Sequence, residues 1–326
     1  MDLDRRYLLA AVGLPLAAAF LWAAYYIFVL GVTPGTRPSA VFVYPFLFGG
    51  AAYTVWCWTE GHGRVLLRMW LAPSSYLRVA LLLGMQLSVL ASTYLAGAVD
   101  TSLLSLIGDV VLTPVIVAVW FLAYRGRFDS PLLWLGMGLC LLGGGLAIVG
   151  STGLTAVHDW GYVVVIAIPL TVAFFFLSAA KENERSPPSA VVGQSMLAAG
   201  VIGLVLSPLL PGGVTGIVAI APLPLLLLVA TGVTSFFIAP ALYFESLRRV
   251  GLVVPPMMMT GIPVFAAILS WGLLGIAIPL IGIVGIPIAV VGALIALRGE
   301  TQGAPPGAPV PSGPQSPSSI RPGSGS

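Results

Sequence analysis

Charge is what this sequence has least of. Only 8% of its 326 residues are Asp, Glu, Lys or Arg, while 58% are hydrophobic. A soluble globular protein carries about 25% charged residues. The shortfall excludes an exterior that faces water all round, so most of it must face lipid. A net charge of +3 is too small for a nucleic-acid footprint. Cysteine and histidine are scarce too, with two of each. Cys57 and Cys140 lie in apolar runs, where a free cysteine behaves as a small hydrophobe. No metal-ligand spacing is present, so neither a metal nor a cofactor is expected. His62 and His158 fall in loops, which leaves no histidine at membrane depth for a Ser–His hydrolase. No Gly-rich phosphate loop with a Lys is present, and hence no sign of an ATP motor. These absences argue against an enzyme.

What is present is apolar sequence in repeated lengths. A membrane helix needs about 20 mostly apolar residues. Such windows recur at 8–30, 39–58, 77–98, 101–124, 131–150, 160–180, 189–210, 217–245, 251–273 and 277–297, ten in all. The uncharged run from Tyr7 to Thr36 is too long for a signal-peptide core of about 7–15 residues, so it reads as a first membrane helix. Two boundaries carry no charge. LLPGGVTG (209–216) supplies a turn through Pro and Gly, and LLGIAIPL (273–280) reads as a tight turn because Pro279 interrupts an over-long run.

Basic residues orient the chain, because Lys and Arg collect on cytoplasmic loops. With the N-terminus inside, the cytoplasmic segments hold Arg5, Arg6, Arg64, Arg68, Arg78, Arg125, Arg127, Lys181, Arg185, Arg248, Arg249, Arg298 and Arg321. Only Arg37 falls outside. Both termini are then cytoplasmic, and the plasma membrane is the expected location. The tail, 299–326, is rich in Pro, Gly and Ser and is expected to be disordered.

The chain also repeats itself. GLPLAAAF (13–20) matches AIPLTVAF (167–174), with Pro15 and Pro169 lying 154 residues apart. LTPVIVAVW (112–120) matches GIPVFAAIL (261–269) at a shift of 149, which also superposes Gly126 on Gly275, Gly136 on Gly285 and Gly143 on Gly292. Residues 1–150 and 151–298 therefore read as two five-helix repeats. An odd number of crossings per repeat makes the second enter from the opposite side. The expected fold is an all-α membrane protein of ten transmembrane helices in two inverted repeats, the plan of many secondary transporters.

Each half resembles an EamA domain of the drug/metabolite transporter superfamily. The resemblance rests on an apolar-x-Pro-apolar-x-x-Ala helix, a short Gly turn, and a helix with Leu-Gly and a later Gly. Here these are LTPVIVAVWFLAYRGRFDSPLLWLGMGLCLLGGG and GIPVFAAILSWGLLGIAIPLIGIVGIPIAVVGA. Where the family often has Glu after the turn Gly, this chain has Arg127 and Ile276. The resemblance implies a ten-helix carrier with a cavity lined mainly by helices 1, 3, 4, 6, 8 and 9.

Asp109 is the sharpest candidate for a site. In a helix beginning near Thr101 it lies about 12 Å along the axis, near the middle of a hydrocarbon core about 30 Å thick. A carboxylate at that depth must face the protein interior or a wet cavity. There it can carry a proton or hold a cationic group. Ser105 and Thr113 stand one turn either side on the same face. Gln86 and Ser92 on helix 3, and Thr260 before the Pro-broken helix 9, are uncharged polar groups at depth. Trp22 and Tyr26 share a face of helix 1 and could line a cavity mouth, although an interfacial aromatic belt would also explain them. Glu245 reads as an interfacial partner of Arg248 and Arg249. No Lys or Arg falls in the middle of a helix, which argues against a strongly anionic substrate.

The expected function is a secondary transporter moving a small neutral, zwitterionic or cationic metabolite by alternating access, with protons as a candidate coupling ion. The alternative is a non-transporting integral membrane structural or interaction protein of the same fold. Expected partners are the lipid bilayer and a small-molecule substrate, with no nucleic acid; a homodimer is compatible with the sequence.

Overall fold

A computed structural model describes residues 9–32, 36–96, 130–152, 159–183, 185–210, 212–250, 255, 258–259, 261–275 and 280–302. Every element among them is helical. A π turn at Leu9–Gly13 leads into α1 (Leu14–Val32), followed by α2 (Pro38–Thr59), a short α3 (Gly63–Met69) and α4 (Pro73–Ala96). Then come α5 (Pro131–Thr152), α6 (Asp159–Asn183) and α7 (Pro188–Leu206). A short α8 (Gly213–Val218) precedes α9 (Pro222–Val233), which runs through a π turn at Thr234–Ile238 into α10 (Ala239–Val250). The last two are α11 (Gly261–Leu274) and α12 (Leu280–Gln302).

Among the described residues, three helices are long and apolar enough to cross a membrane: Pro38–Thr59, Pro188–Leu209 and Pro222–Val250. A fourth results if Gly63–Met69 and Pro73–Ser88, bent by 78°, count as one span. Leu9–Tyr25, Pro131–Cys140 and Leu280–Ala296 are shorter apolar helices. Helix is found within nine of the ten expected windows, and the tenth, 101–124, lies outside the described residues.

Some boundaries differ from expectation for local reasons. The 217–245 window is cut because Ala221 is extended and Pro222 starts a new helix, so 213–218 forms a separate turn of helix. Pro73 likewise starts α4 ahead of the expected residue 77. The run at 273–280 is divided as expected. Gly275 takes a φ of 68°, and its N–H donates to the Trp271 carbonyl, ending α11.

The helices meet through glycine. A side chain at Gly143 would collide with the backbone of Ala289 and of Gly285, and one at Gly292 with Cys140 and Gly136. Adding 149 to Gly143, Cys140 and Gly136 gives Gly292, Ala289 and Gly285, so the α5–α12 contact is reciprocal. The α2–α7 contact is reciprocal as well. Gly50 abuts the backbone of Leu197, while Gly200 abuts that of Leu47, a shift of 150. Gly193 fits under Tyr53, and Gly203 under Phe42 and Val43. Small residues let helix backbones approach where lipid offers no hydrophobic drive to associate. Cys57 and Cys140 are both free and buried, as their apolar settings suggested.

Polar ties fasten both ends of the bundle. Where α2 begins, Ser39 Oγ donates to the Gly213 carbonyl and Tyr44 to that of Ile217. Where α2 ends, Ser189 Oγ donates to Glu60 at 3.1 Å. Arg78 belongs to this second, basic end. The sequence placed it with the loop cations, yet it is fully buried in the second turn of α4. On α10, Glu245 pairs with Arg248 and Arg249 at 2.8 and 2.6 Å, as expected.

Two glycines of α5 test the packing. Gly143→Ala drives a methyl into the α12 backbone and should destabilise the detergent-solubilised protein by about 1–3 kcal/mol. Gly138 faces open space, so Gly138→Ala should leave stability unchanged or raise it by up to about 1 kcal/mol through helix propensity. Equal melting temperatures for the two variants would contradict the close approach.

Candidate substrate-binding region

An aromatic wall joins α1, α6 and α10. Trp22 lies mid-way along α1, and its indole Nε1 donates to the Ser235 carbonyl at 2.9 Å. Ser235 Oγ returns a bond to the Leu21 carbonyl, also at 2.9 Å. The Trp22 ring packs edgewise on Phe176 of α6, at 5.8 Å between centroids, and on Tyr243 of α10, at 5.7 Å. Phe176 touches Tyr243 and Phe244 in turn. Phe176 lies 154 residues beyond Trp22, the spacing of Pro15 and Pro169 in the sequence. Phe236 extends the wall by packing on Tyr25 and Phe46.

The π turn at 234–238 makes the α1 bridge. Thr231 Oγ1 bonds the Leu227 carbonyl and Thr234 Oγ1 the Ala230 carbonyl, each four residues back. Such bonds compete with the backbone ladder and bend helices. The helix then takes in an extra residue and directs Ser235 and Phe236 at α1 and α2. π turns of this kind recur at functional sites. Phe236, Tyr243 and Phe244 are buried core, while Trp22 and Phe176 are half-buried; the surface these two retain is of the kind that suits an apolar, aromatic or cationic group. The wall's one indole N–H and the Ser235 hydroxyl are already engaged.

Of the residues singled out from sequence, Trp22 belongs to this wall. Gln86 is 3% exposed, and its amide donates to the Val41 carbonyl at 3.3 Å, tying α4 to α2. The two thus bond to different elements. Tyr26 and Ser92 lie in α1 and α4, with side chains outside the described residues. Asp109, Ser105, Thr113 and Thr260 lie outside them altogether. Met259 packs into the same core as Trp22, while Met258 packs with Ala11 and Cys140. Phe176, Ser235 and Tyr243 were not anticipated. The 154-residue shift pointed at Phe176, and the TGVTS run (231–235) held the hydroxyls that shape the π turn.

Residues 159–298 match the EamA-like transporter family. No curated protein matches the chain. A solved crystal structure superposes on 90% of this chain and 99% of its own, with a TM-score of 0.74 at 18% identity. The two share a fold. The apolar helices and this family match make the chain an integral membrane protein.

Trp22→Phe removes the indole donor and leaves space against the π turn. A loss of about 1–3 kcal/mol is expected, combining a hydrogen bond with a small void. Ser235→Ala keeps the Trp22 acceptor, so it should cost less, near the average of about 0.6 kcal/mol for a bond between membrane helices. Thermal unfolding in detergent measures both, and a larger loss for Ser235→Ala would reverse the assignment.

Proposed function

We propose, from the match of residues 159–298 to the EamA-like transporter family, that the whole chain is a secondary transporter working by alternating access. Residues 1–150 and 151–298 form its two inverted five-helix halves. The observation that carries this reading is the reciprocity of contacts: α5 against α12 at a shift of 149, and α2 against α7 at 150. A self-complementary seam is what an approximate twofold axis between two similar halves requires. Such halves can exchange conformations and so open a central site to one side and then the other.

The substrate is a small neutral, zwitterionic or cationic metabolite. The aromatic wall suits an apolar or cationic group, and no Lys or Arg of the sequence stands at mid-helix to hold a phosphate. Asp109, in the 101–124 window, supplies the carboxylate as the proton or cation site. Its counterpart at a shift of 149 is Met258, so one acid serves the pair of halves. Both termini are cytoplasmic and the membrane is the plasma membrane.

Uptake by proteoliposomes of a panel of quaternary amines and neutral metabolites tests transport, with thermal shift choosing the panel. No flux for any compound that shifts the melting temperature would favour the non-transporting reading. Asp109→Asn should insert and fold yet lose pH-dependent flux, while Asp109→Glu should keep activity at a shifted optimum. Wild-type flux and pH profile in Asp109→Asn would make the carboxylate structural. For topology, reporter fusions at Phe128 and in the tail should be cytoplasmic and one at Arg37 external. A tail reporter active only outside would sink the ten-helix count.

A further inference from the structure

We infer that Arg78 is a latch between the two halves, one that closes the basic end of the bundle and breaks when that end opens. This rests on the alternating-access reading above. The geometry has three parts. Arg78 is 0% exposed, unusual for a cation that water could reach one turn away. Its contacts converge from both halves of the sequence: Nη2 donates to Ser75 Oγ at 2.9 Å and approaches Met69 Sδ at 3.9 Å, while Nε donates to Ser195 Oγ of α7 at 3.3 Å. Nη1 lies 3.6 Å from Glu182 Oε2 of α6, and Ser74 Oγ donates to that same oxygen at 3.3 Å.

The closed arrangement is incompletely satisfied. Nη1 is buried with no hydrogen-bond acceptor, and only the longer ion pair faces it. Arg78 is fully buried while Glu182 stays 23% exposed, so the Coulomb gain is set mainly against the hydration that the guanidinium gives up. If the end opens, water returns to Arg78 and completes the hydration of Glu182. The pair therefore closes the seam while costing little to separate, which a static structural bridge does not need. A seam of interlocked apolar side chains would instead expose greasy surface each time it parted.

The latch is also one-sided. Glu182 and Ser195 have Phe28 and Pro45 as counterparts at the established shifts of 154 and 150. Neither offers a carboxylate or a hydroxyl to a guanidinium. The two ends of an otherwise reciprocal bundle are thus held by different chemistry, which biases the resting state toward closure at the basic end.

Cys57 is a natural reporter. It is buried near the end of α2 and packed with Leu66 and Ala190; Leu66 stands one turn of α3 before Met69, which Arg78 approaches. In the full chain with Cys140→Ala, reconstituted in liposomes, labelling of Cys57 by a membrane-impermeant maleimide reads opening of that end. Glu182→Gln keeps shape and a hydrogen-bonding oxygen but removes the charge. It should raise the labelling rate about tenfold, the change produced by about 1.4 kcal/mol of bias. The rise should come only from the face bearing the basic loops, with the melting temperature held within a few degrees. Lys181→Gln, at the neighbouring exposed cation, should leave labelling unchanged. An unchanged rate in Glu182→Gln overturns the latch, and so does a rise from both faces accompanied by a lower melting temperature, since that marks a structural bridge. Labelling does not depend on flux, so a protein that transports nothing in proteoliposomes refutes the transporter reading without deciding this test.

Discussion

Backbone touching backbone is the constraint on which this bundle depends. Where α5 meets α12, and where α2 meets α7, glycine leaves no side chain between the helices. In lipid no water is expelled from such a seam, so association relies on dispersion contact and weak polar ties. A glycine seam maximises the first. Because the contacts recur at positions 149 or 150 residues apart, one geometry serves both sides of the interface. The aromatic wall and the polar ties at either end occupy the space these two seams leave.

Much of this was legible in the sequence, because it depends on composition and spacing. Scarce charge and windows of about 20 apolar residues identify membrane helices regardless of how they pack. The 149-residue shift pairing Gly136 with Gly285 and Gly143 with Gly292 marked the residues that later proved to form the α5–α12 seam. Turn chemistry was partly legible. A break within 273–280 was expected from Pro279, and it is Gly275 that ends the helix there, whereas Pro222 cut a window that hydropathy had left whole.

Side-chain company was not legible. Gln86 looked like a polar group available at depth, but its amide bonds a carbonyl of α2. Arg78 looked like a loop cation, since neither hydropathy nor the positive-inside pattern distinguishes a solvated arginine from one enclosed by three helices. Trp22 had an interfacial-belt explanation as good as any other until its indole was seen to meet Ser235. Each depends on a partner more than 40 residues away in sequence except Ser75 and Met69, and single-sequence patterns carry no such pairing. Asp109 stays as the sequence placed it, a lone acid in an apolar run.

The π turn at Thr234–Ile238 reaches beyond its own five residues. Each residue of an α-helix turns the chain by about 100°, so one residue taken in out of phase rotates everything after it by that angle. Tyr243 and Phe244 owe their direction, onto Phe176 and Trp22, to this offset. The stripe of side chains before the turn and the stripe after it belong to two different helical wheels. A periodicity drawn through 222–250 as one wheel mixes them, and residues that share a face of the folded helix appear on opposite sides of the diagram.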